Sequence, residues 1–280
     1  MSKRTKTKSK RKRNKVLLFL VEGDSDVRTL EAPIEAFLDN EGISGITVKF
    51  AKLSKTKDGK KIPGGDPTSD IDIYPGNIEE QITKRVDRTT DEGVFIYPKE
   101  VVKIVQVVDM DGAYVLDENI HRRSEKELRE ENREYYEECI ETDNLFATTR
   151  NLQRKRENLD YLVGLDTFKL GSNSVEYSIY FFSSNLEHFM YGIQNIDGDK
   201  KVGTAKDFSL ECMDDPTLFE KKMGTGDYLL KDMCYAESWN YIRERGLNSL
   251  SRCSNINHML VDLASWGKRF MEEQNADEES

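Results

Sequence analysis

Residues 15–26, KVLLFLVEGDSD, decide the fold of this chain, because an unbroken apolar run ends abruptly in Glu22 and Gly23. A short continuous run of this type is typical of a central parallel strand that is buried on both faces. Apolar residues then recur every three or four positions from Val27 to Leu38, which is the spacing of one helix face. The stretch therefore predicts a buried strand followed by a helix, with an acidic residue at the junction.

Four further segments continue this alternation of strands and helices. Ile46–Leu53 and the strongly apolar Val101–Val108 have strand composition, Asn77–Arg88 has apolar residues at four-residue spacing, and Val175–Phe182 has the composition of a late strand. Alternating strands and helices predict an α/β fold with a mostly parallel, Rossmann-like sheet flanked by helices. Ligands bind such sheets at the carboxyl ends of the strands, so acids at those ends are candidates for a functional site.

The remaining chain is divided by its composition. The highly charged segment Ser124–Glu141 and the segment Asn151–Val163 are predicted to be helices, and mostly helices are expected from Asp207 onward. The predicted organisation is a disordered basic arm (1–14), an α/β core (15–120) with an exposed loop rich in Gly and Pro (54–76), a helical insertion (121–170), a late strand and helix that complete the core (171–206), a helical C-terminal region (207–270) and an acidic tail (271–280).

The charge of the chain is distributed unevenly. The 280 residues carry a net charge of −10, yet residues 1–15 contain nine Lys or Arg and no acid, so the remaining body holds 33 basic and 52 acidic residues. The arm, with Lys10, Arg11, Lys12 and Arg13, is a candidate for binding nucleic acid phosphates or an acidic partner, and a solvated tail is the alternative. The acidic body restricts any nucleic-acid site to a local area at which a cation offsets the negative charge.

Cysteine spacing and hydropathy indicate the cellular compartment. The four cysteines are dispersed without CxxC spacing, which fits reduced thiols in a cytoplasm. No apolar run approaches the roughly 20 residues that a membrane-spanning helix needs. We therefore expect a cytoplasmic protein that does not associate with membranes.

Three acids stand at the ends of the two most apolar predicted strands. Glu22 follows the first strand, while Asp109 and Asp111 follow the second in the sequence VVDMDG. Residues two apart on a strand point to the same face, so Asp109 and Asp111 can join Glu22 in one cluster of carboxylates. Such a cluster requires a cation, and its oxygen ligands suit Mg²⁺ or Mn²⁺. Asp26 and Glu187 are further candidate ligands. The alternative for Glu22 and Asp109 is a role as helix N-caps or solvated loop acids, and the alternative for Glu187 is a role as a helix-capping acid.

The chemistry available to such a site is phosphoryl transfer. A bound divalent ion can activate water, orient a phosphodiester and stabilise the leaving oxygen. Glu22 is expected to act either as general base or as metal ligand, and the sequence leaves both roles open. Gly23 and Gly112 are expected in tight turns that let a substrate approach the backbone closely.

These motifs resemble those of the TOPRIM domain, which is found in topoisomerases, primases, small RNA-maturing nucleases and OLD-type nucleases. VEGDSD is similar to the first motif of that family, with Glu22 in the position of the catalytic acid. VVDMDG is similar to the DxD motif of the family, with Asp109 and Asp111 as metal ligands. The similarity spans roughly residues 15 to 115, with 87 residues separating the two motifs, more than in compact members.

The resemblance implies a particular kind of nuclease. The sequence has no topoisomerase tyrosine motif, primase zinc module or ATPase domain, so it is more similar to the small TOPRIM effectors of bacterial phage defence, such as AriB-like (PARIS), RloB-like and OLD-type proteins. Ser184–Glu187 resembles an SNP..E stretch of RloB-like proteins, although it lacks the proline. This likeness implies cleavage of RNA, with tRNA as one candidate, or of DNA, together with abortive infection, control by a partner ATPase and a homodimer as one option.

Two other functions fit part of the sequence. Asp109 and Asp111 also resemble the first motif of haloacid dehalogenase-type phosphatases, in which Asp109 is the nucleophile and Asp111 the acid/base, with Asp214–Asp215 as a later acidic motif. Alternatively, the acids bind a regulatory cation in a non-catalytic interaction protein whose basic arm docks a partner. Arg122 and Arg123, just after the DxD motif, are candidates for contacting a phosphate, with a solvated turn as the alternative.

Overall fold

A five-stranded sheet forms the centre of the fold. The structure, a computed structural model, describes residues 15–53, 55–57, 60–62, 66–86, 96–124, 133–196, 198–215 and 217–279. The strands in chain order are β1 (Lys15–Val21), β2 (Ile46–Lys52), β3 (Lys55–Lys57), β4 (Lys60–Ile62), β5 (Val101–Asp109), β6 (Ile120–Arg122), β7 (Arg133–Tyr135), β8 (Ile140–Thr142), β9 (Thr167–Leu170) and β10 (Asn173–Phe182).

Helices cover both faces of this sheet. Their bounds are α1 (Asp24–Asn40), α2 (Ile78–Val86), α3 (Leu145–Val163), α4 (Leu186–Tyr191), α5 (Gly198–Asp214), α6 (Leu218–Met223), α7 (Tyr235–Glu244) and α8 (Ile256–Glu279). In the described ranges, no helix combines the length and the apolar character that crossing a membrane requires. Cys139, Cys212, Cys234 and Cys253 are free thiols.

The central sheet has the order β2-β1-β5-β10-β9. Its first four strands run parallel, and β9 pairs in the antiparallel direction with the first residues of β10 at one edge. The expectation of an α/β fold with a mostly parallel sheet flanked by helices is therefore confirmed. The parallel arrangement places the carboxyl ends of β1, β5 and β10 along one edge of the sheet.

The side chains of β1 alternate between two hydrophobic layers, which is why the strand is apolar throughout. Leu17 and Phe19 pack with residues of α1, α5 and α8 on one face. Leu18 and Leu20 pack with residues of α2, α3 and α7 on the other face. Burial on both faces requires a continuous apolar run rather than alternation, so the interpretation of residues 15–21 as a central strand is confirmed.

The helical insertion predicted at 121–170 is wrong for the described residues of its first half. Strands β6, β8 and β7 form a separate three-stranded sheet in that order, and among the described residues of this range α3 is the one α-helix. The charge pattern of Ser124–Glu141 favours a helix, but buried contacts decide the outcome, because Ile140 and Arg123 lie inside the fold next to these strands. Residues 125–132 of this prediction lie outside the described residues.

Two further boundaries differ from the predictions. The 54–76 segment, expected to be an exposed loop, contains the β3–β4 hairpin and a 3₁₀ helix at Pro67–Ser69, and Asp66 and Ile73 within it are buried. The acidic tail predicted at 271–280 forms the end of α8 as far as Glu279. The basic arm at 1–14 lies outside the described residues.

Candidate functional site

The carboxyl ends of β1 and β5 bring Glu22 and Asp109 next to each other. The Glu22 Oε1 atom accepts a hydrogen bond of 3.2 Å from the backbone N–H of Asp109. Pairing with β10 continues past the end of β5, because the N–H of Asp111 donates to the carbonyl of Ser184 at 2.9 Å. The structure therefore brings Glu22, Asp109 and Asp111 together at one edge of the sheet, although 87 residues separate the first two.

A tight turn presents the second carboxylate of the DxD motif. Asp111 has a φ of 49° and Gly112 a φ of 70°, and the N–H of Ala113 donates to the carbonyl of Met110 at 2.9 Å. Two consecutive residues at positive φ are typical of a type I′ turn, which Asp and Gly tolerate. Among the residues that the structure describes, Asp111 is the one non-glycine residue with positive φ. The expected turn at Gly112 is thus present.

Gly23 has a different conformation from the one expected. Its φ of −148° is extended, and it precedes α1 as the N-cap residue. A Cβ atom placed there meets only Asp26 Oδ2, at 3.9 Å. The expectation of a tight turn at Gly23 is therefore wrong, because the chain passes from strand to helix through an extended residue that any side chain can adopt.

A buried lysine lies among three of the carboxylates. The Lys155 Nζ atom is 2.8 Å from Asp66 Oδ2, 2.9 Å from Asp111 Oδ2 and 3.7 Å from Glu22 Oε1. Lys155 projects from α3 and is 1% exposed. A buried lysine requires paired charges, and these three acids supply them.

The segment that carries Asp66 is fixed against α3. Asp66 caps the 3₁₀ helix by accepting a 2.8 Å hydrogen bond from the N–H of Thr68. The Asn158 side chain on α3 donates to the carbonyl of Thr68 at 2.7 Å and to that of Ile73 at 3.2 Å. Helix α3 thus positions both Lys155 and Asp66, one of the acids with which Lys155 pairs.

A second group of acids, Asp26 and Glu187, lies near Asp109. Asp109 Oδ1 accepts a 3.0 Å hydrogen bond from the N–H of Leu186 at the start of α4. Asp26 is buried and accepts a 2.8 Å hydrogen bond from the N–H of Gly23. Glu187 is 3% exposed; its Oε2 atom is 3.5 Å from Lys201 Nζ, and its Oε1 atom has no hydrogen-bond partner.

The role of Glu187 as a helix-capping acid, one of the two alternatives, is excluded. The side chain that caps α4 belongs to Asn185, which accepts a 2.8 Å hydrogen bond from the N–H of His188. Glu187 instead lies close enough to Asp26 and Asp109 to raise the pKa of both carboxyl groups. Its buried, unpartnered oxygen belongs to the acidic cluster.

Burial and mutual repulsion perturb the ionisation of the cluster. Burial raises the pKa of Glu22, against the attraction of Lys155 and with the repulsion of neighbouring acids. Burial and the charges of Asp26, Glu22 and Asp111 likewise raise the pKa of Asp109. The pKa of Asp26 is raised to about 7, mainly by burial. These carboxyl groups hold protons more tightly than usual, first because burial disfavours their charged forms and second because the site has more acids than cations.

Two cations, Lys155 and Arg133, lower the pKa of one of these acids instead of raising it. Burial by itself raises the pKa of Asp111, but Lys155 and Arg133 outweigh it and hold that pKa below its usual value. The pKa of Lys155 is raised well above its usual value, because Asp111, Asp66 and Glu22 outweigh the effect of burial. Arg133, half-buried at the start of β7, therefore lies within electrostatic range of the cluster.

Sequence reasoning missed Asp66, Lys155, Arg133 and Lys201. Lys155 offered a signal, because it lies at helical spacing within the buried stripe of α3 that includes Leu152 and Leu159. A charged residue on such a stripe indicates a buried ion pair. The other three offered no local signal, since each was assigned to a loop or a charged helix.

The basic residues proposed for phosphate contact lie apart. Arg123 is buried, and its guanidinium lies 3.5 Å from Glu134 and 3.3 Å from Asp143. It therefore stabilises the small sheet and is neither a phosphate ligand nor part of a solvated turn. Arg122 is exposed. Lys10, Arg11, Lys12 and Arg13 lie outside the described residues.

The donor chemistry fits a hard divalent cation, although the ligands are not arranged around one point. The cluster contains six carboxyl groups but only three cationic side chains among the residues described, so it has an excess of negative charge. The acids are Glu22, Asp26, Asp66, Asp109, Asp111 and Glu187, and the cations are Lys155, Lys201 and Arg133. Within the described ranges, no three Asp, Glu, His or Cys side chains form a group that could hold a metal ion. The Lys155 ammonium lies in the space that three of the acids share. Carboxylate oxygens and the unpartnered Glu187 Oε1 nonetheless suit Mg²⁺ or Mn²⁺.

Comparison with known proteins adds no relative. No family model matches the chain, and neither a curated protein nor a solved structure matches it.

Proposed function

We propose that this protein is a Mg²⁺- or Mn²⁺-dependent nuclease of TOPRIM type, which cleaves phosphodiester bonds in RNA or DNA. The observation that carries the proposal is the contact between Glu22 Oε1 and the N–H of Asp109, because it joins the two motifs on neighbouring strand ends. Asp111, on the turn that follows, lies 2.9 Å from the lysine that also faces Glu22. Both motifs lie at the sheet edge at which parallel α/β folds bind ligands.

Glu22, Asp109 and Asp111 are the residues proposed to hold the ion, with Asp26 and Glu187 as further ligands. When bound, a divalent ion of this kind activates water and stabilises charge on the phosphate. The excess of carboxylates over cations supports this assignment, since like charges at short range otherwise resist ionisation. Glu22, whose pKa burial raises, is poised either to accept a proton from water or to bind the ion.

The cations at the site have a separate role. Lys155 fixes the position of Asp111 and Asp66, and a scissile phosphate next to Asp111 meets a positive rather than a purely negative surface. Arg133 and Lys201 add charge on either side of the cluster. A phosphodiester can approach an acidic protein only if local cations of this kind offset the repulsion.

The wider role rests on the resemblance of the motifs. A small TOPRIM nuclease in phage defence acts on RNA, including tRNA, or on DNA, and is controlled by a partner ATPase. The proposed partners of this chain are therefore a nucleic acid substrate and an ATPase, and its proposed location is the cytoplasm. The exposed apolar residues Leu210 and Met213 on α5 are available for a protein contact, whether with the ATPase or with a second copy.

The phosphatase alternative gains no support from the geometry. Asp214 ends α5, and Asp215, which follows it, accepts a 3.0 Å hydrogen bond from the N–H of Thr217. Neither acid follows a strand, as a second acidic motif of that enzyme class would require.

A cleavage assay with matched variants tests the proposal. Labelled tRNA, single-stranded RNA and plasmid DNA are incubated with the full chain in Mg²⁺, Mn²⁺ or EDTA. Glu22→Gln and Asp109→Asn should reduce cleavage by at least about a hundredfold, whereas Glu35→Gln, at an exposed position of α1, should leave it unchanged. Phosphatase activity that survives Glu22→Gln would identify the alternative enzyme. Binding of Mn²⁺ without hydrolysis of any substrate, with the ATPase partner also present, would identify a non-catalytic interaction protein.

A further inference from the structure

A row that contains two arginines runs along α3 toward the acidic cluster. Phe146, Arg150 and Arg154 are spaced four residues apart, so they lie in one row on the helix surface. The next residue of this row is Asn158, which binds the segment that carries Asp66. The row therefore begins at the start of α3 and ends beside the candidate active site.

The arginines of this row have capacity to bind a ligand. The Nε atom of Arg150 and the Nη1 atom of Arg154 are buried without a hydrogen-bond partner. Within the part of the chain that the structure describes, neither arginine forms an ion pair, although acidic residues outnumber basic ones in the body. Those two nitrogens are shielded from solvent, but both side chains are only half-buried, and each guanidinium carries further N–H groups that can donate to phosphate oxygens.

An exposed aromatic ring lies at the start of the row. Phe146 is 75% exposed, and the Arg150 guanidinium carbon lies 5.4 Å from the centre of its ring. A groove of about 590 Å³ adjoins it, and its lining includes Arg122, Thr149 and Asp143. Asp143 is already paired with Arg123, so it does not neutralise the groove. An exposed ring beside cationic side chains is the combination that binds stacked bases and phosphates together.

We infer that the row of Phe146, Arg150 and Arg154 binds a single-stranded polynucleotide and leads it to the acidic cluster. Three features favour an unpaired strand over a duplex. The cations form a single file along one helix, the ring needs the open face of a base, and bases in a duplex are already stacked on their neighbours. The distance along α3 from Phe146 to Lys155 is about 13 Å, so the strand spans only a few nucleotides.

The inference names the form of the substrate and rests on the proposed nuclease function, but its test does not depend on cleavage. The binding of fluorescently labelled 12-nucleotide oligo(U) and oligo(dT) to the full chain is measured by anisotropy in EDTA, beside a duplex of equal length. We expect tighter binding to the single strands than to the duplex, and the two oligonucleotides distinguish RNA from DNA.

Matched variants identify the row. Arg150→Ala with Arg154→Ala should weaken binding about tenfold at 0.1 M salt and reduce the slope of log K against log salt by about 1.4, because two phosphate contacts are lost. Phe146→Ala should weaken binding about tenfold without changing that slope, since stacking releases no ions. Arg28→Ala and Val261→Ala, at exposed positions of α1 and α8, are the controls and should bind within twofold of the wild type.

The outcomes separate the inference from the nuclease proposal. Replacement of both arginines by lysine should restore the salt slope, which excludes misfolding as the cause of the loss. Binding by the double alanine variant that equals that of Arg28→Ala overturns the inference, even if Glu22→Gln abolishes cleavage. Equal affinity for duplex and single strand also overturns it. If the row variants lose binding and no form of the chain cleaves any substrate, the inferred strand-binding row is supported and the proposed nuclease function is contradicted.

Discussion

Asp26 shows how the acidic cluster opposes folding at neutral pH. Asp26 is 6% exposed at the start of α1, and burial together with the charge of Glu187 raises the pKa of its carboxyl from 3.8 to about 7. The ionised form is therefore less stable in the folded chain than in the unfolded chain. Stability that is present below pH 4 is lost as the pH rises to about 7.

Asp26→Asn is accordingly expected to stabilise the metal-free protein at pH 8 and to have little effect at pH 4. Asparagine stays uncharged and can still accept the hydrogen bond from the N–H of Gly23. The gain should grow between pH 4 and pH 7 and reach at most about 4 kcal/mol, since each pKa unit corresponds to about 1.4 kcal/mol. Urea unfolding in EDTA across this pH range measures it.

Asp39→Asn, at an exposed position of α1, is the control and should give no such rise. Equal stability of the Asp26→Asn variant and the wild type at pH 8 would show that the cluster already holds enough positive charge without a metal ion.

Gly112 and Gly23 differ in the space and backbone conformation that they offer a side chain. A Cβ atom at Gly112, which has positive φ, lies 2.7 Å from Ile140 Cδ1 and 2.9 Å from Leu250 Cδ2. Gly112→Ala should lower the free energy of unfolding by about 2–4 kcal/mol through backbone strain and crowding. Gly23→Ala, at an extended and open position, should change it by less than about 1 kcal/mol. Denaturant unfolding of both variants checks the difference, and equal effects would contradict it.

The small sheet of β6, β8 and β7 depends on an arginine that resembles a ligand-binding residue in the sequence. Arg123 follows β6 and is surrounded by Glu134 on β7, Glu141 on β8 and Asp143. Removal of a buried cation leaves its partners uncompensated, which typically destabilises a protein by about 3–5 kcal/mol. The neighbouring Arg122 is exposed and borders the groove at the start of α3.

Arg123→Ala is therefore expected to lower the free energy of unfolding by about 3 kcal/mol or more, whereas Arg122→Ala should change it by less than about 0.5 kcal/mol. Thermal or urea unfolding of the two variants distinguishes them. A stable Arg123→Ala variant with weakened oligonucleotide binding would return this residue to the phosphate-binding role that its sequence position suggested.

Helix α3 joins three parts of the molecule. Its buried face supplies Lys155 to the acids, Asn158 fastens the segment of Asp66, and its flank carries the arginine row. A shift of this helix therefore moves the counter-charge, one acid and the proposed strand path together.

The whole molecule is expected to gain stability from a divalent ion. A ligand that binds only the folded state stabilises it by about 2.7 kcal/mol at a concentration a hundred times its Kd. Mn²⁺ should raise the unfolding temperature of EDTA-treated protein, and Asp109→Asn combined with Asp111→Asn should abolish the rise. Calorimetric unfolding with and without the ion tests this, and an equal rise in the variant would place the ion elsewhere.

The charged body supports the same expectation at long range. Outside the first 15 residues the chain carries 19 more acids than bases, so its average potential repels nucleic acid. Binding must then be confined to local cationic surfaces such as the arginine row, and it should weaken steeply with salt.

The amino-acid sequence by itself determined the central strands and the helix that follows the first of them. Continuous apolar runs specify strands buried on both faces, so Val175–Phe182 was predicted within two residues of the observed β10. It also predicted that Glu22, Asp109 and Asp111 lie together at one edge of the sheet, because an acid at the carboxyl end of a parallel strand lies at that edge.

Only the tertiary structure decided which distant groups surround those acids. Asp66 reaches the cluster from a segment that looks like a solvated loop, and Lys155 reaches it from a helix 44 residues after Asp111. The three-stranded sheet replaced a predicted helix because Arg123 and Ile140 found buried partners there. The same physical reason explains each of these differences. Local periodicity indicates which residues are buried, but the partner of a buried charge depends on how the helices and loops that connect the strands pack on the sheet.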